Sequence, residues 1–310
     1  MRTEAHAWQC APLLLAALAA GLVVRPQPVG AAESVRFAFA PRDGTRAIVV
    51  TKITRKKFFA GRSQFDRTTA YEERTFKKVA GRYQMIAVLK VVFCNRDGVE
   101  YLDPGLMALS KVPITFIINK SGRVTAIKGY DEVVAALRKN MTAETAKAVG
   151  NTLTKQALAQ REIEQWNSRI GDFVGKTARV GEAWNGESES LLPSGQSVKY
   201  NTRVKFVGWE RVARKRCLRI RYIYWSGASA LGDLVDKKIA EIYRLLEMKG
   251  PRPSAAGVQF RGAGERLIDP ATMLIYGEAG LRVTRMQMRT GASKGEMTLI
   301  DRRDYKYRYH

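Results

Sequence analysis

The sequence predicts an α+β fold: a curved antiparallel β-sheet, half-barrel-like, with helices packed on one face. Three observations predict it. Alternating apolar and polar runs, the period of half-buried strands, fill the first third of the chain and its tail. The turns between these runs are short and rich in Gly and Asp, which favours antiparallel pairing. The period becomes helical once in mid-chain and once before the tail, giving the order strands, helices, strands, helix, strands.

Val35, Phe37 and Phe39 alternate with Ser34, Arg36 and Ala38, as a half-buried strand does. After the turn Arg42-Asp43-Gly44, residues 47–53 are β-branched and strand-like. Residues 68–79 mix polar and apolar positions and read as an exposed strand, closed by Ala80-Gly81. Residues 83–93 are apolar on both faces and read as a central strand, followed by the turn Asp97-Gly98. Residues 113–119 and 124–128 flank Lys120-Ser121-Gly122 as a hairpin. From Asp131 to about Arg169 the spacing of Val133, Val134, Leu137 and Met141, then of Leu158, Ile163, Trp166 and Ile170, is helical. Thr142 and Gly150 divide this stretch into two helices.

Strands resume after Gly175. Val198, Tyr200, Val204 and Phe206 share one face, and Leu218, Ile220, Tyr222 and Tyr224 repeat the pattern on the next strand. Leu231, Leu234, Val235, Ile239, Ile242, Leu245 and Leu246 form the apolar stripe of a helix that Gly250-Pro251 ends. The tail carries strand patterns at 258–268, 281–289 and 296–300, then alternating Tyr305, Tyr307 and Tyr309.

The N-terminus reads as a signal peptide. Residues 11–24 are apolar, too short for the ~20 residues of a spanning helix. Arg25, two prolines and Gly30-Ala31-Ala32 follow, which suits cleavage near Ala32. A retained anchor is the alternative. The expected division is 1–32 signal peptide, 33–175 a β-rich half ending in helices, and 176–310 a second β-rich half with one amphipathic helix, the two halves forming either two domains or one. The expected location is the bacterial periplasm or the exterior. The formal net charge is +24, which favours anionic surfaces such as lipid headgroups or acidic wall polymers, with peripheral membrane contact. An export signal argues against nucleic acid as the partner. Cys94 and Cys217 either pair across an oxidising compartment or stay as separate buried thiols.

Four short segments carry a likeness. Val180-Gly181-Glu182-Ala183-Trp184 follows a helical stretch and precedes a strand. Asp269-Pro270-Ala271-Thr272 follows the Gly-rich strand around Gly262-Ala263-Gly264. Residues 113–129 contribute the Ser121-Gly122 hairpin. Together they resemble an uncharacterised family of exported bacterial β-rich envelope proteins. That family has Asp where this chain has Glu182, and Gly where it has Met273. The resemblance implies an envelope location and no activity. The layout is also similar to the curved half-barrels that carry lipids or lipoproteins across the periplasm.

Catalytic patterns are missing from the sequence. Beyond residue 32 the one histidine is His310, so an interior imidazole base or a His-based metal site cannot be assembled. Glu187 and Glu189 share a strand face but read as an exposed acidic edge. The expectation is a non-catalytic protein without metal or cofactor. Two binding surfaces stand out. Lys199, Arg203, Lys205, Arg219 and Arg221 should share one face of a hairpin, and Arg211, Arg214, Lys215 and Arg216 extend that face around its turn. Such a ribbon suits docking on an anionic envelope surface, or is a solvated outer face that discourages edge aggregation. Trp184, Trp209 and Trp225, with Leu234 and Ile242 of the helix above, would line an apolar pocket for a lipid-type ligand, or simply pack.

Overall fold

A computed structural model describes residues 33–139, 154–191, 197–226, 229–245, 249–291 and 293–310. The expected signal peptide, residues 1–32, and the expected helix division at Thr142 and Gly150 lie outside the described residues.

Among the described residues fourteen strands form: β1 (Ser34–Arg36), β2 (Arg46–Phe59), β3 (Arg62–Val79), β4 (Arg82–Arg96), β5 (Val99–Tyr101), β6 (Pro113–Ile118), β7 (Val124–Lys128), β8 (Thr177–Arg179), β9 (Ala183–Leu191), β10 (Ser197–Val212), β11 (Lys215–Trp225), β12 (Pro253–Asp269), β13 (Leu274–Thr290) and β14 (Ser293–Tyr309). One antiparallel sheet runs β7-β6-β4-β3-β2-β14-β13-β12-β11-β10-β9, with β5 added beside β4. The sheet is not closed, because β7 and β9 end the order. Twist accumulated over such long strands curves it. β1 and β8 form a separate two-stranded sheet.

The tail differs from the sequence expectation in strand length. Its short patterns are parts of three 17-residue strands, β12 to β14. β14 does not lie at an edge. It pairs with β2 from Met297↔Phe59 to Tyr309↔Ala47, and with β13 on its other side. The two expected halves therefore share one sheet, and residues 34–310 form one compact unit. The expected central strand at 83–93 is also corrected. Met85 and Ala87 are buried, but Val91 and Phe93 are 42% and 58% exposed. Lys90 is the extra residue of a bulge opposite Tyr71 and Glu72, which turns Val91 and Phe93 to the exposed face.

Four helices are described: α1 (Pro104–Leu109), α2 (Tyr130–Lys139), α3 (Lys155–Trp166) and α4 (Ser229–Leu245). Asp103 caps α1 by accepting from the Leu106 amide at 3.0 Å. Thr154 caps α3 through the Ala157 amide. α3 continues into a π-turn, Asn167–Gly171. Trp166 donates to the Gly122 carbonyl at 2.9 Å, and the Asn167 side chain bridges the backbone N–H and C=O of Val124. These bonds hold α3 on the β6–β7 hairpin.

The main core gathers Phe37, Phe39, Val49, Met85, Ile118, Trp166, Ile170, Phe206, Leu218, Ile220, Ile268 and Tyr307, among others. A second, smaller cluster sits under α4: Leu231, Ala255 and Val258, flanked by Val235, Ile239, Phe260, Met286 and Met288. No described helix is long and apolar enough to cross a membrane.

Candidate anionic-surface site

Strands β10 and β11 build the basic ribbon. The register sets Lys205 opposite Arg221 and Arg203 opposite Ile223. Alternation then places Lys199, Arg203, Lys205, Arg219 and Arg221 on one side, away from buried Phe206, Leu218 and Ile220. A bulge between Phe206 and Gly208 resets β10. Past it, Trp209 pairs with Leu218 and Arg211 with Arg216. Arg211 and Arg216 therefore turn to the Leu218 side, and the Arg216 guanidinium lies 4.0 Å from the centre of the Trp209 ring. This corrects the expected single cationic face: two of the nine cations project from its back. The inserted residue in β10 flips Arg211, whereas Arg216 lies on the Leu218 side by plain alternation along β11.

Three of the front cations have acidic partners. Arg219 Nε donates to Glu210 at 3.0 Å, Arg221 lies 3.6 Å from Glu265, and Lys199 lies 3.8 Å from Glu187. The Glu189 side chain lies outside the described residues. Arg203, Lys205, Arg211, Arg214 and Lys215 are exposed and meet no carboxylate among the described residues. The pairing of β9 with β10 stops at Lys205, and that of β12 with β11 stops at Leu218. Beyond these points the ribbon's ladder bonds pair β10 only with β11, while Trp209, Val212 and Cys217 still pack into the main core. Its turn, Ala213-Arg214, has φ of 47° and 65°, the left-handed pair of a tight hairpin. The β2–β3, β3–β4 and β4–β5 turns are alike but carry Gly61, Gly81 and Gly98 at the second position.

The three tryptophans are not brought together. Trp184 packs in an aromatic group with Phe37, Phe173 and Phe206, 4.5 Å from the Phe206 ring. Trp209 is half-buried under Arg216. Trp225 is 38% exposed. It pairs with Asn201 at the other end of the ribbon, about 23 Å along β11 from the partner of Trp209 at 3.3 Å per residue. Alternation also puts Trp225 on the face opposite Trp184. The side chains of Leu234 and Ile242 lie outside the described residues. The hollow beside Phe39, Trp166, Ile170, Tyr307 and Tyr309 measures about 30 Å³, the volume of one water.

Cys94 and Cys217 are both free and buried. They sit on β4 and β11, six strand spacings apart in the sheet order, roughly 29 Å over its surface. Of the two readings left open by the sequence, the structure has the two separate buried thiols. Burial pushes the Cys217 thiol up to about 12. His310 lies at the exposed end of β14, its amide bonded to the Arg46 carbonyl. Among the described residues no group of three or more His, Cys, Asp or Glu side chains converges as a metal site would.

A charged network that sequence reasoning did not find lies on the inner face. Glu278 is paired with Arg169 and, at 2.9 Å, with Arg266, and accepts from the Tyr222 hydroxyl at 3.2 Å. Both Glu278 and Arg266 side chains are 7% exposed. Burial works to raise the Glu278 carboxyl, but the two guanidiniums outweigh it and hold it near 2. Asp301, 2% exposed, accepts from Arg55 Nε at 2.6 Å and Arg282 Nη2 at 2.7 Å. Its carboxyl is also held low, those bonds prevailing over burial. Arg266 and Arg282 reach their carboxylates across consecutive strands, but Arg169 and Arg55 come from 109 and 246 residues away, so no local spacing signals the whole set.

The fold is that of a β-rich antiparallel sheet protein with a few helices. No protein-family model matches the chain, and no curated protein matches it. Several solved structures are loosely similar. One is an exported protein with a YmcC-like fold from Bacteroides fragilis, 9% identical, with a TM-score of 0.21, covering 86% of this chain and 97% of that one. Another is OccK5 of Pseudomonas aeruginosa, 7% identical, TM-score 0.25, covering 86% and 98%. A third is an outer membrane channel from Pseudomonas putida, 8% identical, TM-score 0.21, covering 92% and 100%.

Proposed function

We propose that this is a non-catalytic, exported protein of the bacterial envelope that docks on anionic surfaces through the β10–β11 ribbon. In this reading the helices cover the inner face of a half-barrel-like sheet and leave the ribbon's cations outward. One observation carries it. The ribbon and its turn hold exposed cations without carboxylate partners among the described residues, one of them, Arg214, in a turn position where the matching hairpins have glycine. A left-handed non-glycine residue costs roughly 1–2 kcal/mol, and a solvated surface gains nothing from that cost. The alternative of an enclosed apolar pocket has less support, since the hollow in the main core is of water size.

The test is co-sedimentation with vesicles of phosphatidylcholine alone and with added phosphatidylglycerol. Binding should require the anionic lipid and fall with salt. Replacing Arg203, Lys205, Arg214 and Lys215 by Gln should weaken it by about 4 kcal/mol, at about 1 kcal/mol per cation. Arg214→Gly should raise the melting temperature while weakening binding, separating docking from stability. Unchanged binding by the fourfold variant would sink the reading.

A further inference from the structure

The inner face of β2, β14, β13 and β12 carries a second arrangement, separate from the ribbon. Two adjacent rows cross these strands. One is Arg55–Asp301–Arg282–Gly262, and the next is Ile53–Arg303–Gly280–Gly264. The Arg55 and Arg282 side chains remain 45% and 39% exposed although both bond buried Asp301. Arg303 is half-buried and pairs with no carboxylate among the described residues. Two guanidiniums therefore share one carboxylate and a third meets none among the described residues, which leaves the band with an excess of positive charge.

Glycines beside Arg282 and Arg303 keep the neighbouring positions free of side chains of their own. Tyr224 and Tyr222 lie over Gly262 and Gly264 and border the band with phenol rings. Arg282 Nε is buried without a partner. Two rows toward the β2–β3 hairpin the same face becomes apolar. Leu299, Thr284 and Phe260 form one row, with Lys57 at its β2 end, and Phe59, Met297 and Met286 the next. These side chains are half-buried or, for Phe59, 36% exposed. The strip continues into the small cluster under α4. Unbranched methionines accommodate irregular apolar partners.

We infer that this band binds one molecule of an anionic lipid, its phosphate on Arg282 and Arg303 and its acyl chains along Leu299, Met297, Met286 and Phe260. The fork geometry of guanidinium matches a phosphate. The order of polarity along the strands, cationic then apolar within about 13 Å for four residues, matches headgroup then tail. Neither a free anion nor an uncharged amphiphile uses both parts.

The experiment is calorimetric titration of the chain, purified from an export-competent host, with dihexanoyl phosphatidylglycerol below its micelle-forming concentration. Monomeric lipid offers no surface, so ribbon docking is not read. Saturable one-to-one binding is expected, at least tenfold tighter than dihexanoyl phosphatidylcholine or inorganic phosphate. Arg303→Gln and Leu299→Asn should each weaken it about tenfold with unchanged circular dichroism, and the fourfold ribbon variant should bind as the parent does. Absence of saturable binding, or full affinity in Arg303→Gln, overturns the site. Inorganic phosphate binding as tightly as the lipid overturns its lipid identity.

Discussion

Glu278 shows what a single residue contributes. Its carboxylate is shielded from water and held ionised by Arg169 and Arg266. A folded-state value near 2 lies below the ordinary 4.5, so the unfolded chain binds the proton more readily. The associated stability is present above about pH 4.5 and is lost as the pH falls toward 2. Asp301 adds in the same direction. Glu162 opposes it. Burial raises its carboxyl, so its contribution is lost as the pH rises. The acid-side loss from Glu278 is on the order of 3 kcal/mol. Thermal melts from pH 6 to pH 2 should show a steep fall below pH 4.5. Glu278→Gln should flatten that limb while lowering stability at pH 7 by about 3–5 kcal/mol, because Arg266 is left buried and unpaired. A parallel fall in both proteins would contradict the assignment. None of this was legible in the sequence. Arg266 and Glu278 face each other only because β12 and β13 pair in one register, and Arg169 arrives from a π-turn.

The elements were more legible than their junctions. Strand alternation located β10 and β11 and the face of Lys199, Arg203 and Lys205 correctly. It missed the Gly208 bulge, where the core-facing positions shift phase from Val204 and Phe206 to Trp209. Gly262 and Gly264 read only as a Gly-rich strand, whereas their role depends on the strand beside them. A Cβ at Gly264 would stand 2.5 Å from both the Ala279 carbonyl oxygen and the Tyr222 hydroxyl. One at Gly262 would stand 2.2 Å from the Tyr224 ring. Gly264→Ala should therefore cost about 1–3 kcal/mol and pull Tyr222 away from Glu278. Chemical denaturation and the environment of the tyrosine ring would show it. A Gly264→Ala protein of parental stability would mean that the ring does not lie there. Apolar runs mislead in a similar way on β4, where Val91 and Phe93 face outward.

For the whole molecule, the decisive fact is that the last strand is central. β14 joins β2 to β13, so the sheet is complete only when the final residues are in place. Ending the chain after Gly291 should expose two long unpaired edges, β2 and β13, and such edges aggregate. The truncated chain should appear in the void volume of a sizing column or in inclusion bodies. A soluble, monomeric product with the parental circular dichroism would show that the two halves fold independently. Surface charge acts at this scale too, since an excess of +24 attracts the chain to anionic surfaces whichever part makes first contact.

The sequence by itself determined the β-rich class, the antiparallel habit, most strand and helix positions, and the location of the basic hairpin. These follow from local periodicity and turn residues, which each segment carries alone. Only the tertiary structure decided that β14 lies beside β2, that Cys94 and Cys217 are apart, that the tryptophans are scattered, and that arginines from distant strands share buried carboxylates. Each of these depends on which strands become neighbours and in what register, and antiparallel strands of similar pattern can pair in many orders until the core selects one.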